Sequence, residues 1–84
     1  MVKKSDVTRD ELRHFLLGLG FHEIAGKAGL RFEHPSGSIL LYRLYKPTEK
    51  INARDIHATG GQLIDHGLVD PSEFARFEQQ KTPA

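Results

Sequence analysis

The chain reads as an α+β protein: a two-layer sandwich in the order α-β-β-β-α, with a three-stranded antiparallel sheet and an additional short C-terminal helix. Three observations predict it. Leu12, Phe15, Leu16 and Leu19 recur at helical spacing behind a capping pattern. Three short apolar or alternating stretches follow between residues 21 and 45, divided by a glycine-rich segment and a Pro-Ser-Gly turn. A second helical stripe, Ile56, Leu63 and Ile64, comes next. A helix on either side of a meander, both on one face of the sheet, is a stable two-layer solution.

Each element has a local reason. In Thr8-Arg9-Asp10-Glu11 the threonine hydroxyl can accept from the backbone of Glu11, whose carboxylate can reach back, which starts the first helix. Gly20 suits the left-handed position that ends it, and Phe21 can fold back over the last turn. Phe21-His22-Glu23-Ile24 alternates as a half-buried strand does. Ala25 to Gly29 is small and flexible, a loop or loose hairpin. Leu30 to His34 alternates again, and Pro35-Ser36-Gly37 makes a tight turn.

Ser38 to Tyr45 is the most apolar strand and has two apolar faces: Ile39, Leu41 and Tyr45 on one, Leu40, Tyr42 and Leu44 on the other. That pattern suits a sheet centre or an exposed patch that binds something. Lys46 to Lys50 reads as a polar connection. Asn52 is placed to cap the second helix, with Ile51 stapled against Ile56. Gly60-Gly61 interrupts that helix, and each glycine costs about 1 kcal/mol against alanine in a helix interior. The pair therefore marks a kink or a close backbone contact. Gly67 ends the helix, and Asp70-Pro71 opens a third, anchored by Phe74 and Phe77. The expected organisation is a disordered N-terminus over 1–7, a single domain over 8–78 and a frayed C-terminus over 79–84.

The chain has 84 residues, no cysteine and a formal net charge of +1. One domain is expected, with stability from packing alone, because disulfide and thiolate chemistry are excluded. No apolar run approaches the ~18 residues of a membrane span. The basic N-terminus has no apolar stretch behind it, so a secretory signal is not expected and a cytoplasmic protein is. Charge is uneven. Lys27, Arg31, Arg43, Lys46, Lys50 and Arg54 are opposed in their segment only by Glu33 and Glu49, and the chain turns acidic from Asp55 onward. A basic middle can follow a phosphate backbone, or be a solvated face.

Leu19-Gly20-Phe21, a basic strand and His34-Pro35-Ser36-Gly37 together resemble the HicA-like (YcfA-like) mRNA interferase toxin family. The resemblance spans most of residues 8–68. It implies a double-stranded-RNA-binding-like fold, an RNA substrate and an antitoxin partner. In that family Gly-Ser-His precedes the aromatic strand and its His-Pro-x-Gly turn. Aligned on the turn, the triplet falls on Lys27-Ala28-Gly29, so the catalytic histidine's position is occupied by Gly29.

Such an enzyme needs an imidazole to move the 2′-hydroxyl or leaving-group proton. Glycine has no group for this, so no catalytic residue is assigned. His22 and His34, on strands beside the gap, are the candidates to substitute. The five histidines, His14, His22, His34, His57 and His66, show no i, i+4 pair, and no metal or cofactor is expected.

The candidate nucleic-acid contacts are Lys27, Arg31, Arg43 and Lys46, with Tyr42 or Tyr45 available for stacking. Three readings follow. The first is non-catalytic RNA binding through a basic sheet face. The second is an active ribonuclease toxin that uses a displaced histidine and is neutralised by an antitoxin. The third is a protein-protein module built on residues 38–45. Sequence leaves the oligomeric state open.

Overall fold

A computed structural model describes residues 4–27 and 29–79. The elements run β1 (Lys4–Thr8), α1 (Arg9–Gly18), β2 (His22–Ala25), β3 (Leu30–Glu33), β4 (Ile39–Tyr42), β5 (Lys50–Asn52), α2 (Ala53–Asp65) and α3 (Pro71–Gln79). The fold is α+β. Strands β2-β3-β4 form an antiparallel meander, and β1 pairs antiparallel with β5 as a separate two-stranded sheet. None of the helices is long and apolar enough to cross a membrane among the described residues.

The capping box at α1 forms as its residues dictate. Thr8 Oγ1 accepts from the Glu11 amide at 3.3 Å, and Glu11 Oε1 accepts from the Thr8 amide at 2.8 Å. Its far end is a Schellman motif: the amides of Phe21 and Gly20 reach back to Leu16 and Leu17, with Gly20 at φ +104°. The end of α2 repeats this with Leu68 to Leu63, Gly67 to Ile64 and Gly67 at φ +71°.

Leu30, Phe32, Leu40 and Tyr42 alternate into one face of the meander and join Leu12, Leu16, Ile56, Leu63, Phe74 and Phe77 in a single core. Full burial of each such side chain contributes about 1.5–3 kcal/mol. The ring of Phe15 stacks on that of Phe77 at 4.1 Å, which docks α3 on α1. Of the two glycines in α2, Gly60 makes the close contact: a β-carbon there would lie 2.5 Å from the Phe74 ring, whereas Gly61 faces open space.

Four expectations change. Residues 4–7 of the segment expected to be disordered belong to β1, with Val7 only 1 % exposed and the Ser5 hydroxyl donating to the Ile51 carbonyl at 2.7 Å. Its partner β5 takes the end of the expected polar connection; a strand this short pairs because its neighbour is fixed by the core, not because its own sequence alternates.

Asn52 stands at the α2 N-terminus without a side-chain cap. Its backbone belongs to β5, its amide donates to the Tyr45 hydroxyl at 3.3 Å, and its Oδ1 finds no partner among the described residues. The long strand over 38–45 shortens to β4. Alternation holds through Tyr42 and then breaks, so Leu44 points to solvent and Tyr45 returns to the core. The expected C-terminal fraying over 79–84 lies outside the described residues except for the backbone of Gln79, which ends α3.

Candidate nucleic-acid interface

The inner face of the meander is spent on the core, so its outer face and loop end are what the fold leaves to function. Register places the rows. Ile24, Arg31 and Leu41 lie side by side across the three strands, and His22, Glu33 and Ile39 form a second row. The first row ends at the β2–β3 loop, which carries Lys27 and Gly29. A groove of about 550 Å³ opens there, lined among others by Ile24, Lys27, Gly29, Arg31, Leu41 and Tyr42.

Gly29 is held against β4. A β-carbon on it would collide with the carbonyl oxygen of Tyr42 and come within 3.6 Å of the Arg43 α-carbon. The approach explains why a residue without a side chain stands here, and it sets the backbone of Arg43 beside the groove that Lys27 and Arg31 line. Three of the four predicted basic residues thus gather at one end of the sheet. The fourth, Lys46, lies beyond, in the turn where its amide donates to Glu49 Oε1 at 3.0 Å.

Their charges are not equally available. Arg31 is ion-paired with Glu33 on the same face of β3. Arg43 donates through Nη2 to Glu49 at 2.8 Å and through Nη1 to the Leu44 carbonyl at 2.7 Å, while its guanidinium lies 3.8 Å over the Tyr45 ring. Glu49 also receives Lys4 Nζ at 3.4 Å. The Arg43 hydrogen bond, with the Lys46 amide and Lys4 behind it, holds the Glu49 carboxyl down to about 2. The same bond raises the Arg43 guanidinium. Lys27 and Lys46 are exposed and have no acidic partner among the described residues.

The tyrosines offer no stacking platform. Tyr42 is buried, with its hydroxyl 2.5 Å from Thr59 Oγ1, and burial pushes that hydroxyl's pKa up. Tyr45 is 6 % exposed, donates to Asp55 at 2.6 Å and is covered by Arg43. Desolvation, then the bond to Asp55, raises its pKa.

Neither candidate histidine reaches Gly29. His22 lies opposite Glu33, four strand positions from the glycine, or about 13 Å at strand rise. His34 is engaged at both ring nitrogens. Nε2 lies 3.1 Å from the Leu19 carbonyl and must carry the proton, and Nδ1 accepts from the Ser36 amide at 3.0 Å. It serves the turn, tilted against Phe21 at 5.0 Å.

A further pair escapes sequence reasoning: the Ser38 hydroxyl hydrogen-bonds His66 Nδ1 across 28 residues of chain. Ser38 is 2 % exposed, so its hydroxyl ties the hairpin to the end of α2 and does not face an incoming substrate. No local pattern announces that contact. Among the described residues no three His, Asp or Glu side chains converge as a metal site would need.

Neither a protein-family profile, a curated protein nor a solved structure matches the chain.

Proposed function

We propose that the chain is a HicA-like domain that binds RNA at the groove beside Gly29 and does not cleave it. The observation that carries the reading is that Lys27 and Arg31 line one groove together with Gly29, a glycine packed against the Tyr42 carbonyl with the backbone of Arg43 beside it. Cations at the rim suit phosphates, and the apolar floor of Ile24 and Leu41 suits a base turned out of its stack. A general base is what the groove lacks: His22 lies about 13 Å along the strands, and both ring nitrogens of His34 are engaged.

Titration with short RNAs tests this directly. Neutralising about three phosphates on a single strand gives a log-log salt slope near −2, so affinity should fall roughly twentyfold between 50 and 200 mM salt. The RNA should be recovered intact. Cleavage of the RNA by the chain, or no binding at 50 mM salt, rejects the proposal.

A second reading rests on a different observation. Ile24, Ile39 and Leu41 are 46, 42 and 71 % exposed on the same outer face. Apolar residues grouped on one face suit a protein partner such as an antitoxin. Binding of that kind is insensitive to moderate salt, which separates it from the first reading.

A further inference from the structure

Strand β4 is one edge of the meander. Its hydrogen-bonding phase follows from the turn that precedes it. The His34 amide donates to the Ser38 carbonyl at 2.9 Å, and bonded and non-bonded pairs alternate along an antiparallel ladder. Leu40 opposite Phe32 and Tyr42 opposite Leu30 are therefore bonded to β3. Ile39 and Leu41 turn their amides and carbonyls outward. Gln62 Nε2 takes the Ile39 carbonyl at 2.8 Å. The outward groups of Leu41 have no partner among the described residues, and its side chain is the most exposed of the large apolar ones, at 71 %. An edge in that state is a template for another strand.

We infer that β4 pairs antiparallel with β4 of a second copy of this chain, about a two-fold axis through Leu41, and joins two meanders into one six-stranded sheet. Leu41 then exchanges both backbone bonds with its counterpart, and Ile39 faces Arg43 of the other copy. Charge along α2 is what selects a second copy over any other strand.

Arg54, Ala58, Gly61 and Asp65 are exposed and recur at spacings of four, three and four, so they lie along one line of the helix. The line runs from a cation, through two small residues, to an anion. Neither Arg54 nor Asp65 has an ion-pair partner among the described residues. Two such lines set antiparallel match Arg54 with Asp65 twice and Ala58 with Gly61 twice, which lets the helices approach closely.

The strand and helix requirements coincide in space. Helix α2 borders the β4 edge, with Ala58, Thr59 and Gln62 lining a small cleft against Leu41 and Tyr42. Thr59 meets Tyr42 and Gln62 meets Ile39, so α2 runs antiparallel to β4. An axis at Leu41 therefore also passes the middle of the α2 line. The assembly places Arg31, Leu41, Leu41 and Arg31 in one row, with the two arginines three strand spacings or about 14 Å apart. It stands whether or not RNA binds there.

Light scattering on the full chain from micromolar to millimolar concentration should show the mass rise from 9.5 kDa toward twice that value. Leu41→Lys brings two ammonium groups together on the axis and should hold the mass at 9.5 kDa throughout, with an unchanged circular dichroism spectrum. Arg54→Asp and Asp65→Arg should each weaken self-association about tenfold, because each sets like charges face to face. Mixing those two variants restores both ion pairs and should restore the dimer. A wild type that stays monomeric at millimolar concentration overturns the inference. So does a dimer untouched by Leu41→Lys, or a mixture no tighter than its components.

Discussion

The ring of Phe74 occupies the space in which a β-carbon on Gly60 would sit, 2.5 Å from its nearest atom, so α3 reaches the core through a notch in α2. The glycine pair therefore divides into one residue required by packing within the chain and one that no contact within the chain requires. Gly60→Ala should destabilise by about 1–3 kcal/mol through overpacking, in spite of alanine's better helix propensity. Gly61→Ala should stabilise by about 0.5–1 kcal/mol. Thermal melts of the two variants should move in opposite directions, at roughly 4–8 °C per kcal/mol.

Placing at Gly29 the histidine that the resemblance to interferases implies should fail. Its β-carbon meets the Tyr42 carbonyl, so Gly29→His must displace backbone that β4 and the β2–β3 loop share. The expected result is a lower melting temperature and no ribonuclease activity. A variant as stable as the parent, or one that cleaves RNA, contradicts the packing account of Gly29.

Glu49 links pH to the stability of the 43–50 turn. Its carboxyl is held at about 2 in the folded chain against an ordinary 4.5. The folded state binds that proton less readily than the unfolded one, so the stabilisation is fully present above pH 4.5 and disappears as pH falls through 2. Glu49→Gln should be the less stable protein at neutral pH, and the difference should close across that interval. Added salt should shrink it, because the pairs with Arg43 and Lys4 are exposed.

The capping box at the head of α1 gives a local test of helix stability. Thr8→Ala removes the acceptor for the Glu11 amide and should cost about 1 kcal/mol in urea denaturation. An unchanged midpoint would show that packing of α1 makes the cap redundant.

Lys27 and Arg43 should separate in RNA titrations. Lys27 has no acidic partner to leave among the described residues, so Lys27→Ala should lower affinity and flatten the salt slope by roughly 0.7. Arg43 already serves Glu49 and Tyr45. Replacing it should loosen the turn as well, seen as faster amide exchange at Lys46 and Glu49, whose amides bond within that turn.

What the sequence makes legible is whatever its near neighbours decide. The Thr8-Glu11 box, Gly20 and Gly67, and the alternation of Leu30 with Phe32 each specify geometry within a few residues, and those elements form where the pattern puts them. Strands β1 and β5 carry no such signal, since Lys4 to Thr8 holds a single apolar residue, Val7, and its partner strand is far away in sequence.

The site divides in the same way. Hairpin register brings Lys27 and Arg31 to one groove with the Arg43 backbone beside it, and register is readable from the turn and the alternation. The burial of Tyr45 is not, because the strand ends at Tyr42 and the phase is lost. Nor is the bond from Ser38 to His66, which depends on where α2 ends relative to the hairpin.

The β1–β5 ladder also governs the order of opening. Ser5 and Ile51 are 46 residues apart, while both hairpins of the meander close over a few residues. Loop-closure entropy favours the short loops first, so amide exchange should show the N-terminal strand opening before the meander and helices. Its departure withdraws Lys4 from Glu49, the carboxylate that holds the Arg43 side chain in the turn beside the groove. The first segment to open is thus part of what fixes the turn beside the groove, and fraying at the chain's beginning becomes looseness at a site some forty residues later.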